Sequence, residues 1–316
     1  MRSHSPVVSI VIPAYNLGRY LGEAIESVLN QDYPNIERIV LDDGSSDNTR
    51  DVIKQYASRV YAESQSNMGQ AKTLNKGWRM SKGEILAFIS ADDALLPGAV
   101  SKAVTCLDAN PDAVLTYSDF KLIDGDSRAI RRVRTAEFNY EDMLVNGSCP
   151  PGPGAFFRRS AFETVGPWDD SLKIMLDYDY WLRLGLRGRF IRIPEVLALY
   201  RVHDASQTFA GFDESKAQEP VSIVARMFEM HDLPERLASC KAKALSNANL
   251  ISAQLNFRAG RARAGFLRLR KAFFLYPRNL FTIRSARRLL NVLFNRFGHR
   301  SLHRWRQMLS RIRGGR

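Results

Sequence analysis

Val8-Ser9-Ile10-Val11-Ile12-Pro13 is a short, β-branched run stopped by a proline. Without alternating polar positions, such a run reads as a strand buried on both faces, as in a parallel sheet covered by helices. Working outward, residues 19–30 place Tyr20, Leu21, Ala24, Ile25, Val28 and Leu29 on one stripe and predict a helix. Ile36 to Leu41 predicts a second strand. Ser46-Asp47 predicts the start of a helix reaching about Tyr56, with Asp47 as its N-cap. Further on, the pattern predicts a strand at Val60–Ala62, a helix over 70–81 ended by Gly83, and a strand from Ile85 to Ile89. A helix from Gly98 to Leu107 and a strand from Ala113 to Tyr117 continue the alternation. The expected class is α/β, a mostly parallel sheet flanked by helices.

In such sheets ligands collect at the carboxyl ends of the strands. Tyr15, Asn16, Asp42, Asp43, Asp92 and Asp93 all lie just past a predicted strand end. Carboxylates crowded on one rim repel unless a cation or hydrogen-bond donors offset them. Taken alone, Asp92-Asp93 reads either as the cap of the next helix or as a holder of a hard divalent cation. Asn67 and Gly69 lead a helix whose first amides could face an anion.

The chain of 316 residues is long enough for one large domain and a smaller one, and its 45% apolar content is that of a globular protein. No apolar run reaches the ~18 residues of a membrane span, and residues 1–6 lack the apolar stretch of a secretion signal, so the expected compartment is cytoplasmic. Cys106, Cys149 and Cys240 are too far apart for a metal or disulfide framework. Residues 236–316 hold 20 of the 46 Lys/Arg and no Asp or Glu, leaving 26 basic against 33 acidic residues before them. A cationic tail behind a mildly acidic body points to a polyanionic surface. Residues 206–220 read as a linker, followed by helices near 221–231, 236–259, 262–275 and 280–313. Leu245 to Pro277 resembles a single tetratricopeptide-type hairpin, expected as a helical extension because one such unit cannot bury its own face. The predicted division is therefore 1–212 and 213–316.

Five stretches recur in a familiar order: Pro13-Ala14-Tyr15-Asn16, Asp42-Asp43-Gly44-Ser45-x-Asp47, Asn67-x-Gly69 with Asn75-x-Gly77, Gly83-Glu84, and Ser90-Ala91-Asp92-Asp93. With Gly166-Pro167-Trp168-Asp169, Asp177-Tyr178-Asp179-Tyr180-Trp181 and Tyr200-Arg201-Val202-His203 further on, residues 6–208 resemble the family 2 glycosyltransferases of GT-A fold. The resemblance implies an inverting transfer of sugar from a nucleoside-diphosphate donor, a UDP-sugar, to a glycan or lipid-linked acceptor. It implies that Pro13 and Tyr15 line the donor base, with Asn16 and Asp43 beside them, and that Asp42 accepts from the base. Asn67, Gly69 and Lys72 would serve the diphosphate. Asp92 would sit at the ribose or near the metal, Asp93 and His203 would hold Mg2+ or Mn2+, and Asp177 would be the base. Such chemistry needs a cation against the leaving diphosphate and one carboxylate to take the acceptor proton.

Three positions depart from the family pattern. Leu176 stands where a Glu commonly precedes the base, Ser90 replaces the first Asp of the metal motif, and Leu74 stands where a basic residue is common. Two rivals follow, a catalytically inactive nucleotide-sugar-binding scaffold and a sugar nucleotidyltransferase. Asp177 also reads as a helix cap, Asp179 as a structural hydrogen-bonding group, Trp181 as core or acceptor wall, and Trp168 as packing. Beyond residue 286, Arg side chains interleave with Leu290, Phe294, Phe297, Trp305 and Leu309, a pattern suited to an anionic membrane surface. The expectation is a peripheral protein on the inner face of the cell membrane. No readout motif accompanies the charge, so nucleic acid is not expected as a partner.

Overall fold

Every residue of β1 (Val8–Ala14) is buried, which accounts for its continuous apolar run. The computed structural model describes residues 5–203 and 213–288. β1 pairs in parallel with β2 (Ile36–Asp42) and with β4 (Ile85–Phe88), and β2 pairs in parallel with β3 (Tyr61–Ser64). Connecting them are α1 (Gly18–Leu29), α2 (Thr49–Gln55) and α3 (Gln70–Met80). Leu21, Ala24, Ile25 and Val28 of α1 join the core against Ile10, Ile12 and Val40. Each such aliphatic side chain contributes roughly 1.5–3 kcal/mol when fully buried.

The sheet then changes character. β5 (Ala94–Leu95), α4 (Ala99–Asp108), β6 (Ala113–Ile123), β7 (Ala129–Val133), α5 (Tyr140–Asn146) and β8 (Phe156–Arg158) follow, then α6 (Arg159–Val165), α7 (Leu176–Gly185) and β9 (Arg189–Arg201). The strand order is β3-β2-β1-β4-β8-β6-β9-β5, with β7 on β6. β8 is antiparallel to β4 and β6, while β6 and β9 are parallel. On the face that includes α3, Trp78 is fully buried, its ring centroid 5.3 Å from Phe157 and 5.5 Å from Trp168. Trp181 is buried as well, 5.8 Å from Phe157, so its ring is core.

The chain forms two compact units, Met1–Met143 with Ser148–Phe209, and Leu144–Gly147 with Ala210–Arg316. The second unit contains α8 (Glu214–Met227), α9 (Glu235–Ala238), α10 (Lys241–Arg258), α11 (Ala262–Leu275) and a 3-10 turn, Pro277–Phe281. Asp213 to Pro220, expected as linker, instead opens α8, where the Asp213 side chain accepts the Lys216 N–H. The rest of that expected linker and nearly all of the basic tail beyond residue 288 lie outside the described residues.

Two local expectations are corrected. Asp47 does not cap α2; Asn48 holds that position. The Asp47 carboxylate accepts from Thr49 and from the Gly18 N–H, tying the start of α2 to the start of α1. Gly83 does not end a helix, because Ser81 follows α3 directly. A Cβ on Gly83 would meet the Ser9 backbone N at 2.5 Å and Ser9 Oγ at 2.4 Å. Glycine is needed there for close approach to β1. Gly83→Ala is expected to cost about 1–3 kcal/mol, the usual penalty of overpacking. A thermal melt checks this, and an unchanged midpoint would refute it.

Candidate active site

The rim at the carboxyl ends of β1, β2 and β4 is built from loops that hydrogen-bond one another. Asn16 adopts φ 53°, a left-handed conformation that asparagine tolerates. Its Oδ1 accepts the Ser46 N–H at 2.8 Å, and its own N–H donates to Ser45 Oγ at 2.9 Å. Asn16 therefore clasps the ends of β1 and β2 together. Directly before it Tyr15 is left 50% exposed, with its ring open to the rim, while Pro13 is buried within β1.

The two carboxylates after β2 have separate tasks. Asp42 is fully buried and accepts from the Ser45 N–H and from Arg50 Nε, each at 2.9 Å. Burial opposes its charge, but hydrogen bonds from Ser45, Arg50 and Ser64 outweigh that and lower its pKa. Asp43 accepts the Met68 and Gly69 N–H groups, each at 2.8 Å, and the Gln65 side chain at 3.0 Å. The anion facing the start of α3 is thus Asp43 itself, which fits the positive end of a helix. Asp43 and the Gly69 amide, expected at the donor, are engaged with each other. Gly69 takes φ 90° as the residue before α3. Asn67 is exposed. Lys72 is also exposed, and it makes a loose ion pair at 3.8 Å with Asp170. Asn75 clamps the later part of the unit, exchanging 2.8 Å bonds with the N–H and C=O of Trp168.

Asp92 and Asp93 sit on the turn between β4 and β5. Because β5 pairs antiparallel with β9, the end of β9 is drawn directly past them. Asp93 is buried, and its Oδ1 accepts the Arg201 N–H at 2.8 Å. Burial and the neighbouring Asp92 charge push the Asp93 carboxyl well above its usual pKa. Asp92 Oδ2 lies 3.0 Å from His203 Nε2. A hard oxygen and an imidazole nitrogen thus converge on one point of the rim. Among the described residues no group of three or more His, Cys, Asp or Glu assembles. A two-donor set fits a cation held jointly with ligand phosphates and water, the habit of Mg2+ and its relatives.

Arg201 carries no signal in the sequence beyond its place in a motif, yet it organises this corner. It is 1% exposed. Its guanidinium donates to the Asp92 carbonyl at 2.7 Å, the Asp124 carbonyl at 3.1 Å, Ser127 Oγ at 2.7 Å and Glu23 at 2.6 Å. It also lies 4.8 Å over the Tyr20 ring, which in turn is 4.8 Å from the His203 ring.

Asp177 lies in the first turn of α7. It keeps an exposed surface, yet the protein crowded around its carboxylate strips enough water to raise its pKa. The Tyr178 N–H, donating at 2.7 Å, works in the opposite direction. Its charge reaches the Cys149 thiol, which burial and Asp177 together push up. Among the described residues no hydrogen bond or ion pair joins Asp177 to Asp42, Asp43, Asp92 or Asp93. Asp179 is fully buried and paired with Arg183 at 2.9 Å, a structural arrangement.

Known proteins resemble this chain. A glycosyltransferase of Rickettsia typhi described as uncharacterized is 32% identical over 236 residues, covering 69% of this chain and 70% of that one. Chondroitin synthase of Escherichia coli is 28% identical over 214 residues, 67% of this chain but 31% of its own. Among solved structures, residues 1–349 of Staphylococcus aureus TarS, in complex with UDP-GlcNAc, superpose with a TM-score of 0.61 over 86% of this chain and 92% of that one at 15% identity. The mannosyltransferase PcManGT of Pyrobaculum calidifontis, in complex with GDP-Man and Mn2+, gives 0.56 over 93% and 88% at 19%. Those two likenesses establish the GT-A type of fold. Residues 9–166 match the family described as Glycosyl transferase family 2, and with the relatives above this establishes that the chain belongs to that family of glycosyltransferases.

Proposed function

We propose that the protein transfers a sugar from a nucleoside-diphosphate donor, a UDP-sugar, to a hydroxyl of a glycan or lipid-linked acceptor, with inversion. The observation that carries this reading is the convergence of Asp92 and His203, 3.0 Å apart beside Asp93, on the same rim as the exposed Tyr15. Tyr15 would stack on the donor base above Pro13, and Asp42, expected to meet the base, is buried and would instead hold the Ser45 turn and Arg50 beside it. Lys72 and Asn67 would meet the diphosphate. Asp92 and His203 would hold Mg2+ or Mn2+, while Asp93, expected as a ligand, is buried beside them and accepts the Arg201 N–H. When bound, that cation supplies positive charge to the leaving diphosphate. Asp177 would take the acceptor proton as the acceptor oxygen bonds to the anomeric carbon and the bond to the diphosphate breaks. A single base acting on the acceptor means a single displacement, whereas a retaining double displacement would need a nucleophile as well.

Among the described residues no helix is long and apolar enough to cross a membrane. A peripheral position on the inner face of the cell membrane would suit a lipid-linked acceptor of cell-surface polysaccharide assembly.

A thermal-shift series tests the donor part, since a ligand bound only by the folded state raises the midpoint. UDP with Mn2+ is expected to stabilise the protein and UDP with EDTA to stabilise it much less. Asp92→Asn should erase that metal-dependent difference. Tyr15→Ala should weaken nucleotide binding by about 1–3 kcal/mol, the usual contribution of a base stacked on an aromatic ring. Equal shifts with and without metal would refute the cation site, and an unaffected Tyr15→Ala would refute the stacking.

A further inference from the structure

The helical unit carries a surface that donor chemistry does not use. α11 buries only Gly265 and Ala272, seven residues apart and so on one side of the helix. Gly265 sits against the Phe257 ring of α10, where a Cβ would come within 2.5 Å. Ser246 of α10 donates to the Ala272 carbonyl at 2.8 Å. This seam is narrow and made of small residues. Apart from Arg268, which bonds Gln218 of α8, and the Phe266 edge against Phe257, the large side chains of the helix point outward. Phe266 is 64% exposed, Phe274 73%, Phe281 82% and Ile283 74%. Arg263, Arg270, Lys271 and Arg278 are exposed among them. The Arg270 guanidinium lies 5.7 Å from the Phe274 ring centroid, so charge and aromatic surface are interleaved on one face.

A run of large apolar side chains this exposed is uncommon on a protein that works alone in water. Its charge selects the partner. No Asp or Glu occurs after residue 235. A second copy docking by the same face would set Arg against Arg, which opposes association. An anionic bilayer answers both features, with phosphates for the cations and the headgroup–acyl boundary for the rings. We propose that the outer face of α11 and the turn after it docks the protein on an anionic lipid surface. This assigns the contact to residues 263–283 and does not depend on the residues that follow them. It rests on the lipid-linked acceptor reading for its purpose only: a docked enzyme meets such an acceptor at raised effective concentration.

Full-length protein and a Phe274→Ser/Phe281→Ser/Ile283→Ser variant, all changed at exposed positions, are sedimented with two kinds of vesicle. One is phosphatidylcholine alone; the other carries added phosphatidylglycerol. The wild type is expected on anionic vesicles only, less so at high salt, since surface attraction is screened beyond about 8 Å at physiological ionic strength. The triple variant keeps every charge, yet its partition should fall at least about tenfold because the inserting side chains are gone. UDP-induced stabilisation should be the same in both proteins, so loss of nucleotide binding and loss of lipid binding are read separately. Unchanged sedimentation of the variant would overturn the proposal. So would wild-type dimers in light scattering that the variant lacks, or a nucleic acid duplex bound equally by both proteins in place of lipid.

Discussion

Asp177→Asn is expected to leave UDP binding intact and to lower turnover by roughly 10²–10⁴, the usual share of a positioned general base. The amide matches the carboxylate in size and can still sit at the start of α7, but it cannot accept a proton. The raised pKa of Asp177 gives a second signature. A base works only when ionised, so activity should fall as pH drops through that raised value. The loss should begin above the pH at which an ordinary carboxylate, near 3.9, would protonate. Asp179→Asn should behave differently. It removes the partner of Arg183 in the core and should appear as lost stability. Full activity in Asp177→Asn, with failure in a well-folded Asp179→Asn, would reverse the assignment.

Arg201→Met is the second large effect. It removes a buried guanidinium that joins the Asp92 and Asp124 carbonyls, Ser127 and Glu23. Breaking a buried charge network by deleting one partner costs about 3–5 kcal/mol. Glu23 keeps some solvent, which favours the lower end of that range. The Asp92 and Asp124 carbonyls lose a donor in a place water reaches poorly, which adds to the cost. Because the same guanidinium holds the Asp92–Asp93 turn, metal-dependent UDP binding should weaken more than the fall in stability alone explains. Denaturant unfolding and UDP titration with Mn2+, at a temperature where the variant is folded, separate the two. A variant that unfolds like the wild type and binds UDP normally would remove Arg201 from the site.

The parallel half of the sheet was legible because β1 is buried on both faces, most of β2 and β4 is buried too, and α1 carries a clean apolar stripe. Val8–Ala14 and the α1 stripe are the plainest cases. The other half was obscured by physical circumstances. β5 has only two residues, too few to show a period. β9 mixes Arg, Glu and Pro with its apolar residues, as a strand with polar neighbours does. Missing that pair hid the reason His203 reaches Asp92, which is the β5–β9 ladder. The acidic rim itself was legible, since strand ends can be read from the sequence. The division of labour within it was not. That Asp43 satisfies the Met68 and Gly69 amides depends on a loop closing across 25 and 26 residues. The sequence places Arg201 in a motif without its role, because an arginine ordinarily reads as surface and only the fold brings the Asp92 and Asp124 carbonyls around it.

Transfer from a nucleoside-diphosphate sugar must leave a nucleoside diphosphate, and identifying the released nucleotide is the test. Wild-type protein is incubated with Mn2+ and a panel of UDP- and GDP-sugars, with water or simple glycosides as acceptors. The released nucleotide is then identified by mass. A nucleoside diphosphate is expected from at least one donor, suppressed by EDTA and by Asp177→Asn. A nucleoside monophosphate or pyrophosphate as product, or release that Asp177→Asn and EDTA leave unchanged, would contradict it.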